Sequence, residues 1–176
     1  MRHIGLIGCG RIGRLHARNL KGRAHLYYCS RSRPSAERFQ QELGGSGVVG
    51  AFEDLLALPQ LDAVVLASPP QFHAQQVIAA LQAGKAVLAE KPLGRNPGEV
   101  RLAVEAAAQA GRWLKAGYNH RYHPAIIKVR QVFEAGELGP LHFIRGRYGH
   151  GGRPGYEREW RADPTRSGGG EMLDQG

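Results

Sequence analysis

The chain has 176 residues, which is enough for one complete domain and part of another. Its 42% hydrophobic and 22% charged residues are typical of a globular protein, and since no apolar run approaches the roughly 20 residues of a membrane helix, we expect a cytoplasmic protein without a membrane partner. Two cysteines are too few for a disulfide framework or a metal centre, whereas the net charge of +9 at pH 7 is typical of proteins that bind phosphate groups.

Short apolar runs alternate with amphipathic segments through residues 1–118. Pro34 opens the second amphipathic segment, Gly84 closes the one after the fourth apolar run, and Asn96-Pro97 is typical of a helix start. The predicted strands are residues 4–7, 24–29, 48–49, 62–67, 86–89 and 113–118, and helices are predicted to begin near residues 11, 34, 73 and 97. This alternation predicts an α/β fold with a doubly wound parallel sheet, a Rossmann domain complete within residues 1–118.

The pattern changes after residue 118. Pro124 opens a helix with one apolar face, and Leu141–Ile144 is predicted as the first strand of a new unit. Residues 149–170 are rich in glycine, proline and arginine, which is typical of a functional or disordered loop. The six arginines from Arg145 to Arg166 suit an anionic substrate such as a sugar nucleotide, and a solvated loop is the alternative. We therefore predict that residues 119–176 form the N-terminal part of a second, truncated domain.

The first strand ends in a glycine motif, Gly8-x-Gly10-x-x-Gly13, within which the first helix begins. Gly8 allows a sharp turn, Gly10 leaves no side chain between the backbone and a phosphate, and Gly13 lets the helix pack closely on the strand. The N–H groups of Arg11 and Ile12 and the positive end of the helix dipole then favour an anion. The motif predicts a pyrophosphate-binding turn, and a purely structural glycine turn is the alternative.

Much of the positive charge lies around this turn, because no carboxylate precedes Glu37. The cationic residues before Glu37 are Arg2, Arg11, Arg14, Arg18, Lys21, Arg23, Arg31 and Arg33. A phosphorylated small molecule explains this location at least as well as a nucleic acid does, and no recognition helix, zinc finger or aromatic RNA-binding pair is evident. We therefore expect no nucleic-acid partner; nucleic-acid binding is the alternative.

The residues after the second strand bear on the choice of cofactor. Rossmann proteins that prefer NAD place an Asp or Glu there to bind the ribose diol, whereas this chain has Cys29-Ser30-Arg31-Ser32-Arg33. The hydroxyl of Ser30 and the guanidinium of Arg31 suit a 2′-phosphate. The sequence thus predicts NADP(H) as the preferred cofactor, and a polar turn that accepts NAD(H) more loosely is the alternative.

Four motifs occur in the order found in the glucose-fructose oxidoreductase / inositol dehydrogenase (Gfo/Idh/MocA) family, which the chain resembles over nearly its whole length. They are Gly8-Cys9-Gly10-Arg11-Ile12-Gly13, Asp62 to Pro69, Gly84-Lys85-x-Val87-Leu88-x-Glu90-Lys91-Pro92, and Gly168-Gly169-Gly170-x-x-x-Asp174-x-Gly176. The resemblance implies a Rossmann domain followed by an α/β (α+β) domain with an open, mostly antiparallel sheet. It also implies a nicotinamide-dependent oxidoreductase of sugars, polyols or nucleotide sugars, and we expect the full-length protein to be a homo-oligomer.

Lys91 follows the fifth strand, at the carboxyl edge of the sheet where ligands of open α/β proteins bind. From the residues alone, a surface ion pair of Glu90 and Lys91 is as good an interpretation as a catalytic site. The resemblance implies that Lys91 hydrogen-bonds the reacting oxygen and that Glu90 contacts the nicotinamide-side ribose. His16, on the first helix, is interpreted as a packing residue.

The resemblance also assigns polar residues to the cofactor groove. Ser68-Pro69-x-x-x-His73 is similar to the family's Thr-Pro-x-x-x-His, which implies that these residues line the groove; a structural histidine is the alternative for His73. Asn119 and Arg121 match the family's Asn-x-Arg-x-x-Pro pattern, which implies a place near the nicotinamide. A polar cluster at the domain junction is the alternative for this pair.

Asp174 matches the aspartate of the last motif, which the resemblance implies is a catalytic residue. In the family a histidine proton acceptor lies four positions after this aspartate, and the sequence ends two positions after it. We therefore expect an incomplete dehydrogenase that is inactive as it stands. A catalytically silent dinucleotide-binding or regulatory fragment is the alternative.

Overall fold

A computed structural model describes residues 1–147 and 154–169. It contains two compact units, one formed by residues 1–117 with the segment that begins at Trp160, and the other by Tyr118–Glu159. Residues 160–169 thus pack with the first unit although they follow the second in sequence. The division into domains of residues 1–118 and 119–176 stays a prediction.

The first unit is built on a parallel sheet of six strands in the order β3-β2-β1-β4-β5-β6. Their bounds are β1 Arg2–Ile7, β2 Ala24–Cys29, β3 Gly47–Val49, β4 Ala63–Leu66, β5 Ala86–Ala89 and β6 Leu114–Ala116. The chain moves outward from β1 to β3 and then crosses to β4 on the other side of β1. This is the doubly wound Rossmann topology, so the predicted fold is confirmed.

Helices connect the strands: α1 Arg11–Leu20, α2 Arg33–Leu43, α3 Phe52–Leu56, α4 His73–Gln82 and α5 Pro97–Ala110. The predicted start of α5 is confirmed, because Asn96 Oδ1 accepts a hydrogen bond of 2.9 Å from the N–H of Glu99. The sequence prediction missed α3, whose five residues are too few to show a helical period.

Both faces of the centre of the sheet are buried, which explains why β4 and β5 are apolar throughout rather than alternating. Leu6 and Val65 belong to the apolar cluster that contains α1 and α2 residues such as Ala17 and Phe39. Their chain neighbours Ile7, Val64 and Leu66 belong to the opposite cluster, with residues of α3, α4 and α5. The carboxyl ends of the strands are consequently held between two packed layers.

The second unit contains a short 3₁₀ helix at Asn119–Tyr122 and the helix α6, Pro124–Glu134. The predicted strand at Leu141–Ile144 is wrong: residues 141–147 form no helix or strand. A strand is stabilised by hydrogen bonds to a neighbouring strand, and none of the described residues 118–147 and 154–159 forms one beside it. The apolar face of α6 is exposed at Ile126, Val129 and Phe133.

Two further short elements follow in the first unit, a 3₁₀ turn at Trp160–Ala162 and the helix α7, Pro164–Ser167. Within the described ranges, no helix has the length and apolar character needed to cross a membrane.

Candidate functional site at the carboxyl edge of the sheet

A cleft of about 630 Å³ lies at the carboxyl ends of the central strands of the first unit. The chain leaves β1 toward α1 on one side and reaches β4 on the other, so the cleft lies at the point where the strand order reverses. The predicted site residues that line it are Gly8, Gly10, Arg11, Ile12, Ser30, Arg31, Ser68, Pro69, Glu90 and Lys91. The sheet therefore brings together residues that are up to 83 positions apart in sequence.

The three glycines of the first turn differ in what a side chain at each position would contact. Gly8 has φ = +100°, and a Cβ there would come within 2.6 Å of the carbonyl carbon of Ala67. A Cβ at Gly13 would overlap the carbonyl oxygen of Gly8. At Gly10, by contrast, a Cβ would meet no atom of the described chain within 4 Å. The fold itself requires the first and the last glycine, whereas Gly10 leaves open space in the cleft.

The start of α1 faces this open space without a side-chain cap. Gly10 is the N-cap residue, no side chain accepts a hydrogen bond from the first turn, and the first turn contains no acidic residue. Arg11, in that turn, is exposed and lines the cleft. Uncapped N–H groups, the helix dipole and a cation together favour an anion at this position.

The turn after β2 contributes Ser30 and Arg31 to the cleft. The guanidinium carbon of Arg31 lies 5.6 Å from the ring centroid of Phe72, a cation–π contact that the sequence did not indicate. Arg33 instead forms an ion pair of 2.9 Å with Glu37 and does not line the cleft. Of Arg31 and Arg33, Arg31 is therefore the one that faces a ligand in the cleft.

The turn after β5 presents Glu90 and Lys91, and the peptide bond between Lys91 and Pro92 is cis. The backbone N–H of Glu90 donates to the carbonyl of Leu66 on β4 at 2.8 Å, which continues the sheet hydrogen bonding into the turn. Glu90 Oε1 lies 2.7 Å from His16 Nε2, so His16 is a partner of Glu90 as well as a residue of α1. Sequence patterns gave no sign of this contact, because 74 positions separate the two residues.

His73 is not among the residues that line the cleft, which corrects the expectation that it faces the cofactor groove. Its side chain is 1% exposed, and its two ring nitrogens lie 2.7 Å from the carbonyl oxygens of Pro92 and Ser68. The buried ring thus bridges the turns after β4 and β5. Ser68 does line the cleft, and its hydroxyl donates to Gln76 Oε1 at 2.5 Å.

The cysteines lie beside the glycine turn, and neither is disulfide-bonded. Cys9 lines the cleft and is half-buried, whereas Cys29 at the end of β2 is buried. Burial raises the pKa of both thiols to about 11, and their mutual proximity adds to the shift at Cys9. Both are therefore thiols rather than nucleophilic thiolates near neutral pH.

The segment 160–169 contributes Trp160 to the cleft wall, a residue that sequence reasoning did not single out. Arg95, which is paired with Glu99 at 2.6 Å, also donates to the carbonyl of Thr165 at 3.0 Å. Although burial of Glu99 opposes its ionisation, its hydrogen bonds from Arg95 lower the pKa of its carboxyl group. The Arg95–Glu99 pair thus ties this segment to the start of α5.

Two predicted site residues belong to the second unit, and Gly13 packs against Gly8 rather than lining the cleft. Asn119 and Arg121 belong to the 3₁₀ helix of the second unit and are exposed. Asp174 lies outside the described residues. Within the described ranges, His, Cys, Asp and Glu form no group of three or more that could hold a metal ion.

Comparison with protein-family models gives two matches. Residues 2–118 match the model described as an oxidoreductase family with an NAD-binding Rossmann fold, Gfo/Idh/MocA. Residues 126–176 match the model of the GFO/IDH/MocA C-terminal domain.

Similar proteins include a myo-inositol 2-dehydrogenase of Thermotoga maritima, 37% identical over 81% of this chain and 43% of the relative. Among solved structures, scyllo-inositol dehydrogenase from Lactobacillus casei with NAD(H) and scyllo-inositol has a TM-score of 0.74 and 30% identity, over 79% of this chain and 42% of that one. A 3-ketoreductase from Actinomadura kijaniata with NADP and TDP-benzene has a TM-score of 0.67 and 31% identity, over 77% of this chain and 42% of that one. The chain spans less than half the length of the relatives it matches.

Proposed function

Because the chain belongs to the Gfo/Idh/MocA oxidoreductase family, we propose that its protein transfers a hydride between a nicotinamide dinucleotide and a secondary hydroxyl or keto group of a sugar, polyol or nucleotide sugar. The family match supports the reaction class. The substrate class rests on relatives and structural neighbours that are named as inositol dehydrogenases and a 3-ketoreductase.

The observation that carries the proposal is the glycine turn. A dinucleotide needs a place where its pyrophosphate can approach backbone N–H groups without a side chain in the way. Gly10 provides this place, since the space where its Cβ would lie contains no atom of the described chain and the first turn of α1 is uncapped. A glycine that only shaped the fold would have a protein contact or a positive φ as its reason, and Gly10 has φ = −101°.

We further propose that NADP(H) is the preferred cofactor. Arg31 lines the cleft, and the described residues place no carboxylate within ion-pair distance of it. A guanidinium can donate two parallel hydrogen bonds to a phosphate, and Ser30 adds a hydroxyl beside it. NAD(H), which has no 2′-phosphate, would lose these contacts.

Lys91 and Glu90 supply the chemistry at the other strand ends. When bound, the nicotinamide would supply the hydride donor or acceptor, and the proton of the hydroxyl group would pass to the histidine acceptor that the family resemblance implies. Lys91, whose ammonium group can donate three hydrogen bonds, would hold the reacting oxygen and stabilise its alkoxide character. Glu90 would accept hydrogen bonds from the nicotinamide-side ribose, and Asp174 would orient the reacting group.

The test separates cofactor binding from hydride transfer. Lys91→Met is compared with Lys85→Met, a matched change at a lysine whose ammonium group donates to the carbonyl of Leu58 and does not line the cleft. Cofactor reduction is measured over a panel of polyols, sugars and sugar nucleotides, in the protein expressed from the whole reading frame that contains these 176 residues.

We expect Lys91→Met to bind NADPH as the parent does and to lose at least about 100-fold in turnover, since removal of one hydrogen-bond donor to a developing oxyanion typically costs about 10²–10³. Lys85→Met should leave turnover unchanged. Full activity of Lys91→Met would overturn the assigned role of Lys91, and absence of dinucleotide binding in the parent would overturn the proposed function.

A further inference from the structure

We propose that His16 is a positioning residue that orients the Glu90 carboxylate toward the nicotinamide-side ribose of the bound dinucleotide. This inference rests on the proposed function, because the role of Glu90 toward the ribose belongs to that proposal. His16 does not line the cleft, so it acts through Glu90 rather than by contact with a ligand.

The contact between the two side chains is short and sheltered. His16 Nε2 lies 2.7 Å from Glu90 Oε1, and each side chain is 20% exposed. An ionised carboxylate can only accept hydrogen bonds, so Nε2 carries the proton and donates it. Hydrogen bonds to charged groups are roughly twice as strong as neutral ones, and partial burial protects this one from competing water.

The remaining parts of the carboxylate are constrained as well. Glu90 Oε2 accepts a hydrogen bond of 3.3 Å from the backbone N–H of Lys91. Behind the side chain, Gly117 N–H donates to the carbonyl of Ala89 at 2.7 Å, and a Cβ at Gly117 would lie only 3.3 Å from Glu90 Cδ. The carboxylate is therefore fixed by α1, by its own turn and by the chain after β6.

The position of His16 on α1 connects this carboxylate to the phosphate-binding turn. α1 begins at the glycine motif and packs on the sheet through the buried residues Gly13 and Ala17. That packing does not need an imidazole on the adjoining face of the helix. The hydrogen bond from His16 gives the helix that receives the pyrophosphate a direct link to the residue assigned to the ribose.

Without the His16 N–H, Glu90 would lose the donor that holds Oε1 and would populate further rotamers. The Glu90 side chain then has to become ordered when the ligand binds. This ordering costs free energy and lowers the affinity for a ligand that contacts Glu90. A ligand that ends before the nicotinamide-side ribose does not use Glu90 and should not be affected. This difference distinguishes positioning from a general effect on the fold.

The experiment measures dissociation constants of NADPH and of adenosine 2′,5′-bisphosphate, which has the adenosine half with its 2′-phosphate and lacks the nicotinamide ribose. The variants are His16→Ala, His16→Gln, Glu90→Ala and the double variant His16→Ala/Glu90→Ala. Gln has an amide N–H at nearly the distance of Nε2 and should replace the donor. His25→Ala is the matched control, because His25 lies near the start of β2 and stacks on His3, away from the cleft.

We expect His16→Ala to raise the dissociation constant of NADPH by about tenfold, which corresponds to the loss of one hydrogen bond to a charged group. The dissociation constant of adenosine 2′,5′-bisphosphate should stay unchanged. His16→Gln should recover most of the NADPH affinity. In the Glu90→Ala background the His16→Ala change should have no further effect, because its target is gone. His25→Ala should bind both ligands as the parent does.

The inference would be overturned, and the proposed function left standing, if His16→Ala raised the dissociation constants of both ligands equally. The same holds if His16→Ala raised the dissociation constant of NADPH as much in the Glu90→Ala background as in the parent. Parent-like NADPH binding by His16→Ala would do the same. Should His16→Ala fail to fold, the His16→Gln variant and its measured affinities decide the matter, since a Gln that folds but does not retain NADPH affinity also contradicts the inference. Failure of the parent itself to bind either NADPH or NADH would overturn the proposed function and the inference together.

Discussion

Replacing Gly10 and Gly13 by alanine, one at a time, separates the role of the glycine turn in folding from its role in binding. The two changes add the same methyl group, three positions apart, at the start of the same helix. At Gly13 the methyl group would overlap the carbonyl oxygen of Gly8. At Gly10 it would meet no atom of the described chain within 4 Å, and the backbone φ of −101° is accessible to alanine.

The expected magnitudes follow from these contacts. Alanine is normally favoured over glycine inside a helix by about 0.5–1 kcal/mol, so Gly13→Ala would stabilise the protein if the methyl group had room. Because the overlapped atom belongs to the backbone, the helix must move at a typical cost of about 1–3 kcal/mol, and after the gain from alanine we expect a net loss of about 1–2 kcal/mol in the free energy of unfolding. Gly10→Ala should change this free energy by less than about 1 kcal/mol.

Binding should show the opposite order. The Gly10 methyl group would occupy the space in which a pyrophosphate approaches the first N–H groups of α1. Loss of one or two charge-assisted hydrogen bonds corresponds to an increase of about 10- to 100-fold in the dissociation constant of NADPH. Urea unfolding gives the stability of each variant, and quenching of intrinsic fluorescence by NADPH gives its affinity.

The reasoning would be refuted by a Gly10→Ala variant that binds NADPH as tightly as the parent. It would also be refuted if Gly10→Ala lost as much stability as Gly13→Ala, because the fold would then require glycine at both positions.

Three further predictions follow from other parts of the structure. Arg31→Ala should reduce the preference for NADPH over NADH by about tenfold or more, since the 2′-phosphate loses a guanidinium; dissociation constants of both cofactors at fixed salt check this. With thiol pKa values of about 11, about one Cys9 or Cys29 side chain in a thousand is ionised at pH 8. Alkylation of these thiols by iodoacetamide should therefore be slow at pH 8, and its rate should rise about tenfold per pH unit toward pH 11. Mass spectrometry of the labelled peptides measures this rate. Asn96→Ala removes the cap that accepts from Glu99 N–H and should lower the free energy of unfolding by about 1 kcal/mol in urea titrations, whereas a parent-like midpoint would contradict the capping role.

The sequence was a good guide to the sheet because local signals coincide there with the tertiary structure. Apolar runs bounded by glycine and proline predicted all six strands of the first unit, and β2 and β5 have the predicted bounds. Buried parallel strands are apolar on both faces, and helices with apolar stripes must cover them. Pattern and packing therefore agree over the six strands and the four longer helices of the first unit.

Predictions failed where a structure depends on a partner that the local pattern does not reveal. Leu141–Ile144 has the composition of a strand, but a strand also needs a neighbour to bond with. His73 has the residue type of a ligand contact, yet the carbonyls of Ser68 and Pro92 occupy both ring nitrogens in the interior.

The same limit applies to the pairs that were missed in the cleft. The His16–Glu90 and Arg31–Phe72 contacts join residues that are far apart in sequence. The sequence singled out Glu90 and Arg31, but no local pattern indicated His16 and Phe72 as their partners. Only the order of the strands, which puts the turns after β1, β2, β4 and β5 at one edge, brings these side chains together.

The central claim is that the cleft of the first unit binds a nicotinamide dinucleotide at the glycine turn, and an NMR titration of the chain with NADPH tests it most directly. The account predicts saturable shifts of the backbone amide signals of Gly10, Arg11 and Ile12 and of the guanidinium signal of Arg31, with little change at His25 near the opposite edge of the sheet. Signals that stay in place at the glycine turn, or shifts confined to another part of the chain, would contradict it.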